Sequence, residues 1–96
     1  MIGLHVPLLI NASASGVAQT WPGGMGVFSV CGTFSGATVT LEFLGPDLAT
    51  YISAGGNTTL TSANAGVFYL PACQIKAVVS GGSPSGLYAA ADRIAT

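Results

Sequence analysis

Between Gly36 and Leu44 apolar and polar side chains alternate without a break. Ala37, Val39, Leu41 and Phe43 fall on one side, Thr38, Thr40 and Glu42 on the other. A period of two over this length predicts a β-strand with one buried face. The strand is entered through Phe34-Ser35-Gly36 and left through Gly45-Pro46-Asp47, where a fixed proline φ and a turn-forming aspartate stop the ladder. Residues 32–47 are thus a strand between two turns, and the rest of the chain is read around them.

Upstream, Phe28 and Val30 alternate with Val27, Ser29 and Cys31, which predicts a second strand over residues 26–31. The connection at residues 32–35 would join it to the first as a hairpin-like pair. Trp21-Pro22-Gly23-Gly24 reads as a turn with an aromatic residue at its start. Downstream, residues 49–53 predict a short strand closed by Gly55-Gly56-Asn57, residues 58–61 a short edge strand, residues 62–66 a turn, and residues 67–70 a strand stopped by Pro71. In residues 73–80, Cys73, Ile75, Ala77 and Val79 share one face and Gln74, Lys76 and Val78 the other. A glycine, serine and proline loop follows at residues 81–86. Residues 87–94 form either a closing strand or a short terminal helix. Strand is favoured for 87–90, whereas the alanine run leading into Asp92-Arg93 suits a helix equally well.

The first ten residues are apolar but contain Gly3 and Pro7, so they make a poor helix and read as an extended arm or an edge strand. Residues 11–16 are small and polar, a hinge by composition. The expected organisation is therefore an apolar arm and hinge over residues 1–16 and a single β domain over 17–96. Ile2, Leu4, Val6, Leu8, Leu9 and Ile10 exceed what the core of so small a domain should accommodate. Together with Trp21 they are the expected interface residues.

Short strands separated by turns every eight to twelve residues, on the order of seven or eight in all, describe an all-β chain. The expected fold is an antiparallel β-sandwich or flattened barrel. Its expected core is Phe28, Val30, Val39, Leu41, Phe43, Phe68, Leu70, Ile75 and Val79.

Composition sharpens the functional side of this picture. The chain has 96 residues, enough for one core and too few for a cleft between two lobes. Only 5% of them are charged, where an ordinary soluble domain carries about 25%. Half are apolar and the formal net charge is −1. A surface so poor in charge favours association, so much of it is expected to be covered by a neighbouring chain. No apolar run approaches the roughly 18 residues that span a bilayer, so no membrane is expected as the partner. Lys76 and Arg93 are the only cations, which excludes the basic patch that nucleic acid requires. Ala12-Ser13-Ala14 fits a leader cleavage site, but the stretch before it lacks a basic start and holds His5 and Pro7. The expectation is assembly in the cytoplasm.

Candidate chemistry is sparse. Glu42, Asp47 and Asp92 are the acids and His5 the one histidine. No spacing among them suggests a nucleophile beside a base or a pair of carboxylates. Glu42 is read as a solvent-facing strand residue, Asp47 as a turn residue, Asp92 as a neighbour of Arg93. No catalytic residue, metal ligand or cofactor is expected. Cys31 and Cys73 lack the spacing of a zinc site, and their strand phases disfavour a disulfide, so free thiols are expected. Trp21, Tyr51, Tyr69 and Tyr88 would suit a sugar-stacking platform or, equally, core and interface positions. Asn11-Ala12-Ser13 and Asn57-Thr58-Thr59 match the glycosylation sequon, which has no consequence without secretion.

The run Trp21-Pro22-Gly23-Gly24-Met25-Gly26-Val27-Phe28, then Gly32-Thr33-Phe34 and Gly36-Ala37-Thr38-Val39-Thr40-Leu41, then Leu44-Gly45-Pro46-Asp47 and Tyr51, resembles small structural proteins of tailed bacteriophages. Leu70-Pro71, Gln74-Ile75-Lys76-Ala77 and Ser85-Gly86-Leu87-Tyr88-Ala89 extend the resemblance over roughly residues 20–94, in strand-and-turn motifs of moderate specificity. The chain departs from the pattern at Leu48, where such proteins lead one to expect glycine. The resemblance implies a virion component, foremost a capsid cement or decoration subunit held on the major capsid protein and on copies of itself, and it carries over no catalytic residue. The alternatives are a small tail component, or a carbohydrate-binding or host-recognition module.

Overall fold

The computed structural model describes residues 5–94 and is all-β, with two antiparallel sheets packed face to face. In chain order the strands are β1 (His5–Ala12), β2 (Gln19–Trp21), β3 (Gly24–Thr33), β4 (Thr38–Leu44), β5 (Tyr51–Ser53), β6 (Thr59–Leu60), β7 (Asn64–Leu70), β8 (Cys73–Ser80) and β9 (Ser85–Arg93). One 3-10 turn, Gly56–Thr58, separates β5 from β6. Sheet A runs β1-β9-β3-β7, and sheet B runs β2-β8-β4-β5 with β6 also on β4.

The pairings are symmetric about the turn at residues 45–50. β4 pairs with β5 and β6, β3 with β7, β2 with β8 and β1 with β9. The chain is thus one long two-stranded ribbon whose tip is that turn. Wrapping the ribbon brings β4 against β8 and β3 against β9, which closes the two sheets. This is the connectivity of a jelly roll, with the strand after the tip split into β5 and β6.

The alternation read from the sequence holds in this frame. Phe28 and Val30, Val39 and Leu41, Phe68 and Leu70, and Ile75 are buried between the sheets, with Phe43 and Val79 packed at the margin. β9 lies between two strands that carry larger inward residues. Ala89 is in register with Leu9 on one side and Val30 on the other, Ala91 with Val6 and Phe28. This large-small-large layering explains why the alanine run is strand and not the alternative helix, because small side chains there leave room for the bulkier neighbours.

Three expectations are corrected. β3 and β4 are not a hairpin: they belong to different sheets. Phe34 and Ala37, on either side of the Ser35-Gly36 turn, are both buried, so the chain crosses from one layer to the other there. The turn expected at residues 62–66 is shorter, since β7 already begins at Asn64. Of the two readings of the first ten residues, extended arm or edge strand, the edge strand holds for residues 5–12. They form β1, the edge strand of sheet A, and the boundary drawn at residue 16 falls instead in the crossover to β2, where Gly16 N–H bonds the Ala77 carbonyl (3.1 Å) and Val79 N–H bonds Ser15 Oγ (2.8 Å).

Candidate interaction face

The expected interface residues separate into three groups. Ile2 and Leu4 lie outside the described residues. Val6, Leu8, Leu9 and Trp21 are buried in the chain's own core, which removes them from any outer surface. Ile10 is exposed (69%). A strict alternation would have put Leu8 and Leu9 on opposite faces. β1 however slips in register between Pro7 and Leu9, two residues opposing one step of β9, and both leucines turn inward.

Trp21 is completely buried, its ring centroid 5.0 Å from that of Phe68. It fits because residue 26 is glycine: a Cβ there would lie 2.7 Å from the indole Cη2 and 2.8 Å from Phe68 Cζ. Among the described residues the indole Nε1 has no hydrogen-bond partner.

Besides Val17, Leu48 and Ile52, the large apolar side chains exposed among the described residues belong to sheet A and its end. Register places the outward side chains of sheet A in rows across the strands: Met25 beside Tyr69; His5, Asp92, Val27 and Val67; Pro7, Ala90, Ser29 and Ala65; and Tyr88 beside Cys31. Ile10 joins Pro7, Cys31, Tyr88 and Ala90 around a shallow depression. Tyr69, Val67, Tyr88 and Met25 are all substantially exposed, Tyr69 most of all (74%). One charged group is in these rows, Asp92, and it bonds His5 Nδ1 across a strand pair at one margin.

Sheet B presents the opposite character. Thr38, Thr40 and Glu42 of β4 stand in register with Ser80, Val78 and Lys76 of β8. Gln74 donates to Thr20 Oγ1 at 3.0 Å, and Lys76 Nζ lies 4.2 Å from the centre of the Tyr51 ring. Glu42 is on the outward side, as its phase predicts. At the ribbon tip Asp47 Oδ1 accepts from the N–H groups of Ala49 (3.0 Å) and Thr50 (2.9 Å), and Oδ2 accepts from Thr50 Oγ1 (2.7 Å). These hydrogen bonds, Thr50's foremost, stabilise the carboxylate and hold its pKa down to about 2.

The titratable groups do not converge. Among the described residues no three of His, Cys, Asp and Glu are placed to hold a metal ion. Cys31 is exposed on the outer face of sheet A, Cys73 is partly buried beside Trp21 in sheet B, and both are free. Burial raises the Cys73 pKa, which disfavours its thiolate.

Of the four candidate stacking aromatics, Trp21 is in the core and Tyr51 is engaged by Lys76. Tyr69 and Tyr88 share the outer face of sheet A, but their partners on β3 are Met25 and Cys31, six positions apart. At the rise of a strand that separates them by roughly 20 Å, too far to stack on one sugar ring. Compared with protein-family models, with curated proteins and with solved structures, the chain matches none.

Proposed function

We propose that this chain is a non-enzymatic assembly protein of a virion, a capsid cement or decoration subunit of a tailed bacteriophage. In this reading it acts in the virion after assembly in the host cytoplasm, held by apolar contacts to the major capsid protein and to copies of itself. The observation that carries the assembly reading is the contrast between the two outward faces: one exposes Met25, Val67, Tyr69 and Tyr88 with the His5–Asp92 pair at a margin, and the other is lined by threonine, glutamate, glutamine and lysine. An apolar face of four strands left in water is what a partner surface looks like on a small domain. The virion part rests on the resemblance of residues 20–94 and, as an analogy of fold only, on the use of jelly rolls in viral capsids.

The same fold also serves lectins, and the exposure of Tyr69 and Tyr88 favours carbohydrate binding as the second reading. Their separation weighs against it. Imaging of intact particles tests the first reading. The expected result is the chain seated on the shell with the outer face of sheet A against a neighbour; finding that face in solvent, or the chain absent from particles, ends it. Glycan-array binding lost on Tyr69→Ala or Tyr88→Ala would establish the second.

A further inference from the structure

A sheet edge presents unpaired backbone N–H and C=O groups, and proteins blunt such edges with prolines, bulges, short strands or charge. Three of the four edges here are treated in that way. β1 carries Pro7 and two register shifts, β2 has three residues, and the edge beyond β4 is split into β5 and β6. β7 is the exception. It runs seven residues, Asn64–Leu70, pairs with β3 without a register shift, and contains no proline and no charge.

The direction of its free groups follows from one hydrogen bond. Met25 C=O accepts from Ile94 N–H, on the β9 side of β3. A strand residue sends its N–H and C=O to the same side, so Met25, and by alternation Val27 and Ser29, face β9. Their register partners on β7, namely Tyr69, Val67 and Ala65, therefore direct N–H and C=O away from β3 and off the edge. The same alternation carried across β9 turns the position of Pro7 away from β9, as a residue without an N–H requires. Ala65 N–H is bonded to Asn64 Oδ1 (2.8 Å), which leaves the edge groups of Val67 and Tyr69 open among the described residues. The 3-10 turn does not cover them. It packs under β7 from the core side, Asn57 C=O filling the place of a Cβ on Gly66, whose phase is inward.

We propose that the chain dimerises through this edge, β7 pairing antiparallel with β7 of a second copy to make one continuous eight-stranded sheet. The two-fold axis passes beside Phe68, so that Val67 of each copy exchanges both backbone hydrogen bonds with Tyr69 of the other. A second copy is the occupant because the segment is complementary to itself. It brings no like charges together, and each valine meets an aromatic ring on the outer face, a favourable cross-strand pair. The dimer joins two apolar outer faces side by side and doubles the area offered to a shell. It deepens the assembly reading, yet it depends on backbone groups of the edge where shell attachment depends on side chains of the face.

Sedimentation of the purified chain over a range of concentrations, with Val67→Pro and Val67→Ala, tests this. Proline removes an N–H that β3 does not use; alanine removes the same side chain and keeps the N–H. The expected result is a concentration-dependent dimer that survives Val67→Ala and is weakened at least tenfold more by Val67→Pro. Amide exchange of the unaltered chain supplies a readout that needs no variant. Val67 and Tyr69 N–H are expected to be protected in concentrated samples and to exchange fast on dilution, while Phe68 N–H, directed at β3, stays protected in both. A monomer at all concentrations, equal effects of the two variants, or fast exchange of Val67 and Tyr69 at both concentrations overturns the proposal.

Discussion

The two sheets bury the same kind of side chain and expose opposite kinds. Inside, Phe28, Val30, Leu87 and Ala89 of sheet A meet Trp21, Val39, Leu41 and Ile75 of sheet B. Outside, sheet B pairs Glu42 with Lys76 and Thr38 with Ser80, whereas sheet A sets Met25 beside Tyr69 and Val27 beside Val67. Alternation accounts for the inner faces of both. Only sheet B has the polar-out half of the pattern, which is the ordinary solution for an antiparallel sheet with one solvated side. Folding therefore explains the inward apolar residues of sheet A, and the proposed association would account for the outward ones. The division predicts that outward residues of sheet A govern association and leave stability alone, while those of sheet B and the ribbon tip do the reverse.

The largest expected effect separates an inward aromatic from an outward one. Trp21→Ala removes a completely buried indole and leaves a cavity against Phe68, at a cost of about 3–5 kcal/mol, a large fraction of the stability of a small domain. Tyr69→Ala, on the outer face, should change unfolding by less than about 0.5 kcal/mol. Urea unfolding of both variants checks the pair. Comparable losses would mean that the outer face of sheet A belongs to the folding core.

Next in size is a charge placed on each face. Val27→Lys with Val67→Lys on sheet A should weaken self-association or shell binding more than tenfold, about 1.4 kcal/mol, because burying the new ammonium groups at a contact is unfavourable. Thr40→Lys with Val78→Lys on sheet B should leave binding unchanged. Sedimentation of the two double variants together with their thermal unfolding reads both quantities. Equal effects of the two pairs would erase the distinction between the faces.

The strands of both sheets were legible because alternation is a local signal, carried by residues such as Val39, Leu41, Phe68 and Ile75. Their assembly was not. The hairpin expected between β3 and β4 failed because a tight turn looks the same in sequence whether it joins partners or rounds a corner between layers. Leu8-Leu9 was unreadable because a bulge removes the period on which the reading depends. Trp21 stands at the start of a turn and reads equally as an interface or a core residue; the cue that it is core, the glycine at residue 26, lies on the following strand. The candidate face was visible only as a shortage of charge, and locating it needed the register of four strands.

At the ribbon tip, on the sheet B side, the next effect acts through the backbone. Leu48 has φ +59° and is 79% exposed. It holds the left-handed conformation for which glycine is suited, at the position where the resemblance leads one to expect glycine. A leucine there is strained by about 1–2 kcal/mol, and replacing it by glycine returns part of this as added freedom in the unfolded chain. Leu48→Gly should thus raise stability by about 0.5–1 kcal/mol with no change in association. A loss of stability would mean that the Leu48 side chain makes contacts worth more than the strain.

The smallest effect is confined to acid. Asp47 lies in the same turn, its carboxylate accepting from Ala49 and Thr50, and its pKa falls from 3.8 to about 2 in the folded chain. A carboxyl whose pKa is lower when folded stabilises the folded state in its ionised form. That contribution is complete above about pH 4, where the unfolded chain is also ionised, and is lost as pH falls through the window down to about 2. Asp47→Asn keeps an oxygen for the two backbone N–H groups and removes the titration. Its unfolding temperature should therefore lie slightly below that of the unaltered chain at neutral pH and approach it as pH falls from 4 to 2. Because the group is on the surface, added salt should narrow the gap. Sheet A's association, measured in the same samples at neutral pH, should not respond. A constant gap between the two unfolding temperatures across the window would show that the turn holds Asp47 by shape alone, and a change in association would show that the tip of sheet B reaches the interaction face.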